Sequence, residues 1–260
     1  MALPTQKTKK NTDFNRRKIL LFGRGKAGKT ALIAGLPVKS LFVTFERRHD
    51  DIEAYIAECS EWTDWLVILE ELKKKNDYEM IVIDTLDQAF VMYRKHFLAI
   101  NGKDSEYDFA QRGKGWLDLR WGFRNFLNDL KMLDKGLVFI MHYEEFEIAE
   151  KNIVTRFYCP GDKHVRTEIE GTCDAMWYMG SEKGAVKNGD GKDTIGDVRY
   201  VQMERTTGID CGSGFSMPAK ITFANCDAEK AAKRIYKAYQ INNVKKKKEE
   251  KENGVQKPSK

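Results

Sequence analysis

The chain alternates short apolar runs with amphipathic stretches. Lys18 to Phe22 puts four large apolar residues behind one lysine, and similar runs recur at Ser40 to Phe45, Met80 to Asp84 and Leu137 to Met141. Runs of this length bounded by turns or charges predict buried strands. Between them the apolar residues fall at helical spacing. A helix is predicted over 30–36, stopped by Pro37, and others over 50–60 (Ile52, Tyr55, Ile56) and 62–75 (Trp65, Ile68, Leu69, Leu72). Two more are predicted over 87–100, ended by Asn101-Gly102, and over 116–133 (Trp116, Leu119, Phe123, Phe126, Leu130, Leu133).

Beyond Met141 the pattern is shorter. Alternation within 143–162 predicts a hairpin, 164–173 a helix, and 175–179 a strand. A Gly/Asp/Lys-rich turn through Asp193 separates that strand from an alternating one, Val198 to Met203. Asp227 is placed to cap a last helix through Ile241, with Ala231, Ile235 and Tyr239 on one face. Strands alternating with helices predict an α/β fold, a mainly parallel central sheet flanked by helices with a C-terminal antiparallel extension. Ligands of such sheets bind beyond the carboxyl ends of the strands. Glu46, Asp84 and His142 stand at such ends.

The first strand runs into Gly23-Arg24-Gly25-Lys26-Ala27-Gly28-Lys29-Thr30, which is G-x-x-x-x-G-K-T followed by a helix. That is the phosphate-binding loop in its proper setting. Glycines at 23, 25 and 28 permit positive φ and close approach of backbone to ligand. The inward N–H groups make an anion-binding concavity. Lys29 is expected to reach the β- and γ-phosphates of ATP, and Thr30 to offer its hydroxyl to Mg²⁺. Asp84 is expected to hold the same Mg²⁺, while Asp84 or Thr85 could also cap the helix that follows. Glu46 is the candidate to activate water for attack on the γ-phosphate, with Asp87 the next carboxylate in line. His142 is the candidate γ-phosphate sensor. Arg205 is a candidate arginine acting on the nucleotide of a neighbouring subunit.

Composition narrows the setting. No apolar run is long enough to span a bilayer, and residues 1–17 lack the apolar core of a signal peptide. The five cysteines are scattered without a C-x-x-C pair, which argues against a zinc site or a disulfide framework and for a reducing cytoplasm. The net charge of +6 is carried by the two ends: Lys7, Lys9, Lys10, Arg16 and Arg17 in one, and seven lysines within 245–260 in the other. Residues 1–17 are expected to be a flexible basic arm, 18–244 the ATPase domain and 245–260 a disordered Lys-rich tail. Such a tail can hold nucleic acid through its phosphates.

Gly23 to Thr30, Phe45-Glu46, Ile83-Asp84-Thr85 and Phe139-Ile140-Met141-His142 together resemble the RecA-like P-loop ATPase core. More narrowly the chain resembles phage nucleotide-binding ATPases that include single-strand annealing proteins, over roughly residues 16–225. Gly115-Trp116 and Cys173-Asp174-Ala175-Met176-Trp177-Tyr178 fit the same pattern. The resemblance implies that Glu46 activates water and that His142 stands where a glutamine is common. It implies a role in DNA recombination, in the host cytoplasm if phage-encoded, with single-stranded DNA as partner; a homo-oligomer is a further candidate partner, its number of copies left open by the sequence. DNA would be held by residues 101–115 (Lys103, Tyr107, Phe109, Arg112, Lys114) and 143–166 (Tyr143, Lys151, Arg156, Phe157, Tyr158, Lys163, Arg166). Glu144, Glu145, Glu147 and Glu150 in the second segment would oppose this. Two other readings share the loop: a nucleotide or small-molecule kinase with residues 181–193 as lid, and an NTP-binding assembly factor with slow hydrolysis.

Overall fold

The computed structural model describes residues 3, 5, 11–46, 52–148, 152–161, 163–187, 193–223 and 227–245. The elements run β1 (Lys18–Gly23), α1 (Lys29–Ala34), β2 (Ser40–Thr44), β3 (Tyr55–Glu58), α2 (Trp62–Lys73), β4 (Met80–Asp84), α3 (Leu86–Ile100), α4 (Lys114–Met132) and β5 (Gly136–Met141). There follow β6 (Tyr143–Ile148), β7 (Asn152–Phe157), α5 (Lys163–Thr172), β8 (Ala175–Lys187), β9 (Asp193–Gln202), β10 (Gly212–Ser213), β11 (Lys220–Phe223) and α6 (Ala228–Gln240).

Among the described residues the main sheet has nine strands in the order β11-β9-β8-β1-β5-β4-β2-β3, with β10 pairing to β8. The strands from β8 to β3 are parallel, and β9, β10 and β11 are antiparallel additions. β6 and β7 form a separate hairpin.

Alternation along β1 builds the two cores. Leu20 and Phe22 face a layer made by α2, α3, α4 and α5, whereas Ile19 and Leu21 face α1 and α6. All four are fully buried. Side chains on successive strand positions point to opposite faces, so a strand covered on both sides must be apolar throughout. That is why β1, β2, β4 and β5 read as unbroken apolar runs.

Three expectations need correction. Residues 55–58 form the parallel edge strand β3, not part of a helix. The spacing of Tyr55 and Ile56 fits either element, and pairing with β2 decides it. The turn expected up to Asp193 is largely ladder: β8 and β9 stay paired from Tyr178↔Gln202 out to Lys187↔Asp193. The arm expected over 1–17 is packed at its inner end. Phe14, in a short turn capped by Asp13, is fully buried against Tyr236 and Tyr239. Arg17 donates to Tyr239 Oη at 2.9 Å and lies over the Phe215 ring. The last helix is capped by Asp227, as expected, and continues as one wider turn to Lys245. The lysine tail past that residue lies outside the described residues. Among the described residues no helix is long and apolar enough to cross a membrane.

Candidate functional site

The carboxyl ends of β1, β5, β4 and β2 meet at one point, and the strand order decides who faces whom. β1 delivers the glycine loop and β4 delivers Asp84, with β5 between them. Thr30, on the first turn of α1, spans that gap: its hydroxyl donates to Asp84 Oδ2 at 2.7 Å. β2 lies on the far side of β4, and Phe45 N–H donates to the Asp84 carbonyl at 2.8 Å. This sets Glu46 beside Thr85, whose hydroxyl donates to Glu46 Oε1 at 3.3 Å. Thr85 occupies the cap position of α3 but its side chain makes no cap hydrogen bond. The threonine therefore orients Glu46 and does not cap the helix.

The loop itself explains its glycines unevenly. Gly28 adopts φ +93, a conformation that favours glycine, whereas the other positive φ in the loop falls on Lys26, at 61. At Gly23 the requirement is proximity, since a Cβ there would lie 2.3 Å from the Met179 carbonyl oxygen on β8. Among the described residues the N–H groups of Gly25, Lys26, Gly28, Lys29 and Thr30 make no backbone hydrogen bond. Unpaired donors arrayed around one loop form an anion cradle.

Lys29 bends back over that cradle and donates to the carbonyls of Gly23 and Arg24, each at 3.0 Å. It is only 6% exposed. Burial pushes its pKa down, and the charges of Asp84, Asp87 and Glu46 push it back up. A buried ammonium facing three carboxylates and a ring of N–H donors is suited to a polyanion carrying a metal.

His142 follows β5 directly. Its Nδ1 lies 2.8 Å from Asp87 Oδ2, and this hydrogen bond raises the imidazole pKa above its ordinary value. Asp87 is 2% exposed and its second oxygen, Oδ1, is buried without a hydrogen-bond partner. That oxygen is left able to accept a hydrogen bond from water or from a ligand.

The donor set fits Mg²⁺. Thr30 and Asp84 are hard oxygen ligands already aimed at each other. Among the described residues no group of three or more His, Cys, Asp or Glu is arranged to hold a metal ion. Mg²⁺ is bound by one or two carboxylates plus substrate phosphates and water, so this sparse set is the appropriate one.

Other expected residues lie elsewhere. Arg205 pairs with Asp210 of its own loop at 3.4 Å, with its side chain 76% exposed. The basic residues of 143–166 are partly engaged: Glu144 binds Arg156 at 2.8 Å and Arg166 at 2.6 Å, and Phe157 is buried. In 101–115, Lys114 pairs with Asp118 at 2.6 Å and Phe109 stacks on Phe97, while Tyr107 and Arg112 are exposed. One cation that the sequence reading missed reaches the loop. The Arg199 guanidinium lies against Gly28.

A strand–glycine loop–helix unit, a hydroxyl–carboxylate pair across an intervening strand and a parallel sheet define a P-loop NTPase. The chain belongs to the AAA-domain family, whose model matches residues 15–213. That membership supports nucleotide binding and hydrolysis in general. No curated protein matches the chain. Among solved structures the flagellar accessory protein FlaH from Methanocaldococcus jannaschii is similar at a TM-score of 0.41 and 9% identity, over 80% of this chain and 85% of that one.

Proposed function

We propose that the protein is a Mg²⁺-dependent ATPase of the RecA-like type. The observation that carries this is the cradle of unpaired N–H groups closed on one side by Lys29 and on the other by the Thr30–Asp84 pair. In this reading the cradle and Lys29 hold the β- and γ-phosphates. Thr30 and Asp84 would hold Mg²⁺, which when bound offsets the charge that develops on the phosphate oxygens. Glu46 takes a proton from water as its oxygen attacks the γ-phosphorus and ADP departs. His142, fixed by Asp87, donates toward the terminal phosphate. Arg205, exposed on its loop, acts on the nucleotide of a second copy in a homo-oligomer.

Single-stranded DNA is the proposed partner, through the 101–115 segment where Tyr107 and Arg112 are exposed. The setting proposed is phage-type recombination in a host cytoplasm. The kinase alternative is disfavoured because residues 181–187 of the proposed 181–193 lid are a paired ladder with β9 rather than a lid. ATP turnover measured with and without single-stranded DNA tests the reading. Turnover accelerated by DNA supports it; turnover indifferent to DNA, with no DNA binding at low salt, removes the recombination role and leaves the ATPase.

A further inference from the structure

Arg199 lies on β9, opposite Ser181 of β8 and Phe223 of β11. Strand alternation puts it on the same face as Val201 and Met203. Both of those are buried in the core shared with Leu32 and Ile33 of α1. Arg199 continues their row outward, past the carboxyl end of β1, and so arrives at the phosphate loop. A Cβ placed on Gly28 would lie 2.6 Å from Arg199 Nη1 and 3.7 Å from Met179 Cε. The arginine is half-buried and, among the described residues, its guanidinium makes no hydrogen bond and no ion pair.

That arrangement leaves a fork of donors without an acceptor among the described residues. A guanidinium is always charged and offers five donors in a fixed fork. Here it shares the loop with the Lys29 ammonium and the unpaired N–H groups, with no carboxylate of its own among the described residues. Positive groups converging from two sides call for an anion between them.

The side from which Arg199 approaches says which part of that anion it meets. β5, β4 and β2, carrying His142, Asp84 and Glu46 at their ends, lie on one side of β1; β8 and β9 lie on the other. The reacting end of the nucleotide belongs with the carboxylates. Arg199 faces the portion that ATP and ADP have in common.

We propose that Arg199 holds the nucleotide by the phosphates shared between ATP and ADP, acting within its own chain and on affinity rather than on the rate of cleavage. This rests on the ATPase reading above. It also makes the β8–β9 hairpin part of the nucleotide site.

The test compares the unmodified protein with Arg199→Ala, Arg199→Gln and Arg199→Lys. Calorimetric titration gives affinities for Mg-ATP and Mg-ADP, and single-turnover hydrolysis at saturating ATP gives the cleavage rate. Arg199→Ala and Arg199→Gln should lose roughly tenfold in affinity for both nucleotides. The saturated rate should stay within about twofold, and Arg199→Lys should recover part of the affinity. The glutamine variant keeps the stem and separates lost contact from lost packing. Unchanged affinity for both nucleotides overturns the proposal, as does a loss confined to ATP or to the saturated rate. If the unmodified, folded protein binds neither nucleotide, the ATPase reading itself has failed, and that result is distinct from variants that bind as the unmodified protein does.

Discussion

His142 and Asp87 are joined at the mouth of the site, with Nδ1 of the histidine 2.8 Å from Oδ2 of the aspartate. One stands just past the end of β5 and the other in the first turn of α3, so the contact ties a strand end to a helix start. Asp87 is buried and has a second, unpartnered oxygen. The histidine is the switchable member of the pair.

The hydrogen bond to Asp87 raises the His142 pKa above its ordinary 6.5, against the opposing effect of burial. A folded-state pKa raised above the unfolded one means that the pair's contribution to stability is fully present below pH 6.5 and is lost as pH rises through the folded value. NMR titration of the imidazole should give a midpoint above 6.5, and Asp87→Asn should bring it down. The melting-temperature gap between the unmodified protein and Asp87→Asn should be wider at pH 6 than at pH 9. A midpoint at or below 6.5 in the unmodified protein would mean that the pair is not ionic.

Lys29→Ala should reduce ATP affinity by about a hundredfold or more, because the side chain is a buried ammonium placed to meet the phosphates. The fold should persist, since its removal leaves only two loop carbonyls to water. Circular dichroism and a nucleotide titration check both halves of this statement. Unaltered affinity would sink the assignment of the loop.

Glu46→Gln keeps the hydrogen bond from Thr85 but removes the base. ATP should still bind, and the single-turnover rate should drop by on the order of a hundredfold. Turnover that survives this change would move the water-activating role to Asp87, another carboxylate whose charge reaches Lys29.

Phe14→Ala should cost about 3–5 kcal/mol of stability. The ring is fully buried, with centroids 5.3 Å and 5.0 Å from those of Tyr236 and Tyr239. That loss is a large share of the roughly 5–15 kcal/mol by which domains are stable. A urea midpoint within error of the unmodified protein would show that this aromatic cluster does not hold α6 in place.

The strands that carry the site were legible because burial on both faces forces unbroken apolar runs, as in Ile81-Val82-Ile83. The strand-end positions of Asp84 and Glu46 were legible because each carboxylate closes or follows such a run. β3 was not: it is a half-exposed edge strand of four residues, and Ile52, Tyr55 and Ile56 match a helix equally well. The outer half of the β8–β9 hairpin was not, because it mixes charged residues and glycines with a few apolar ones and packs against no core. Its order comes from cross-strand pairing, which no local window records. Arg205 drew attention as a loop arginine, while Arg199 reaches Gly28 across β8, a relationship visible only when three strands are set side by side. The weak signal in the sequence was the row Arg199, Val201, Met203, one charge in line with two core residues.

The clasp between the start and the end of the fold also governs how the molecule is made. Arg17 and Tyr239 are 222 residues apart, yet they hydrogen-bond directly. At a synthesis rate of roughly 5–20 residues per second, about 10–40 s separate the two on a translating ribosome. β1 and its glycine loop emerge early, whereas the partner strands β5 and β8 and the covering helix α6 come far later. The nucleotide loop is therefore written first and assembled last. In that interval the face of Ile19 and Leu21 has α1 beside it but still lacks the final helix that completes its cover.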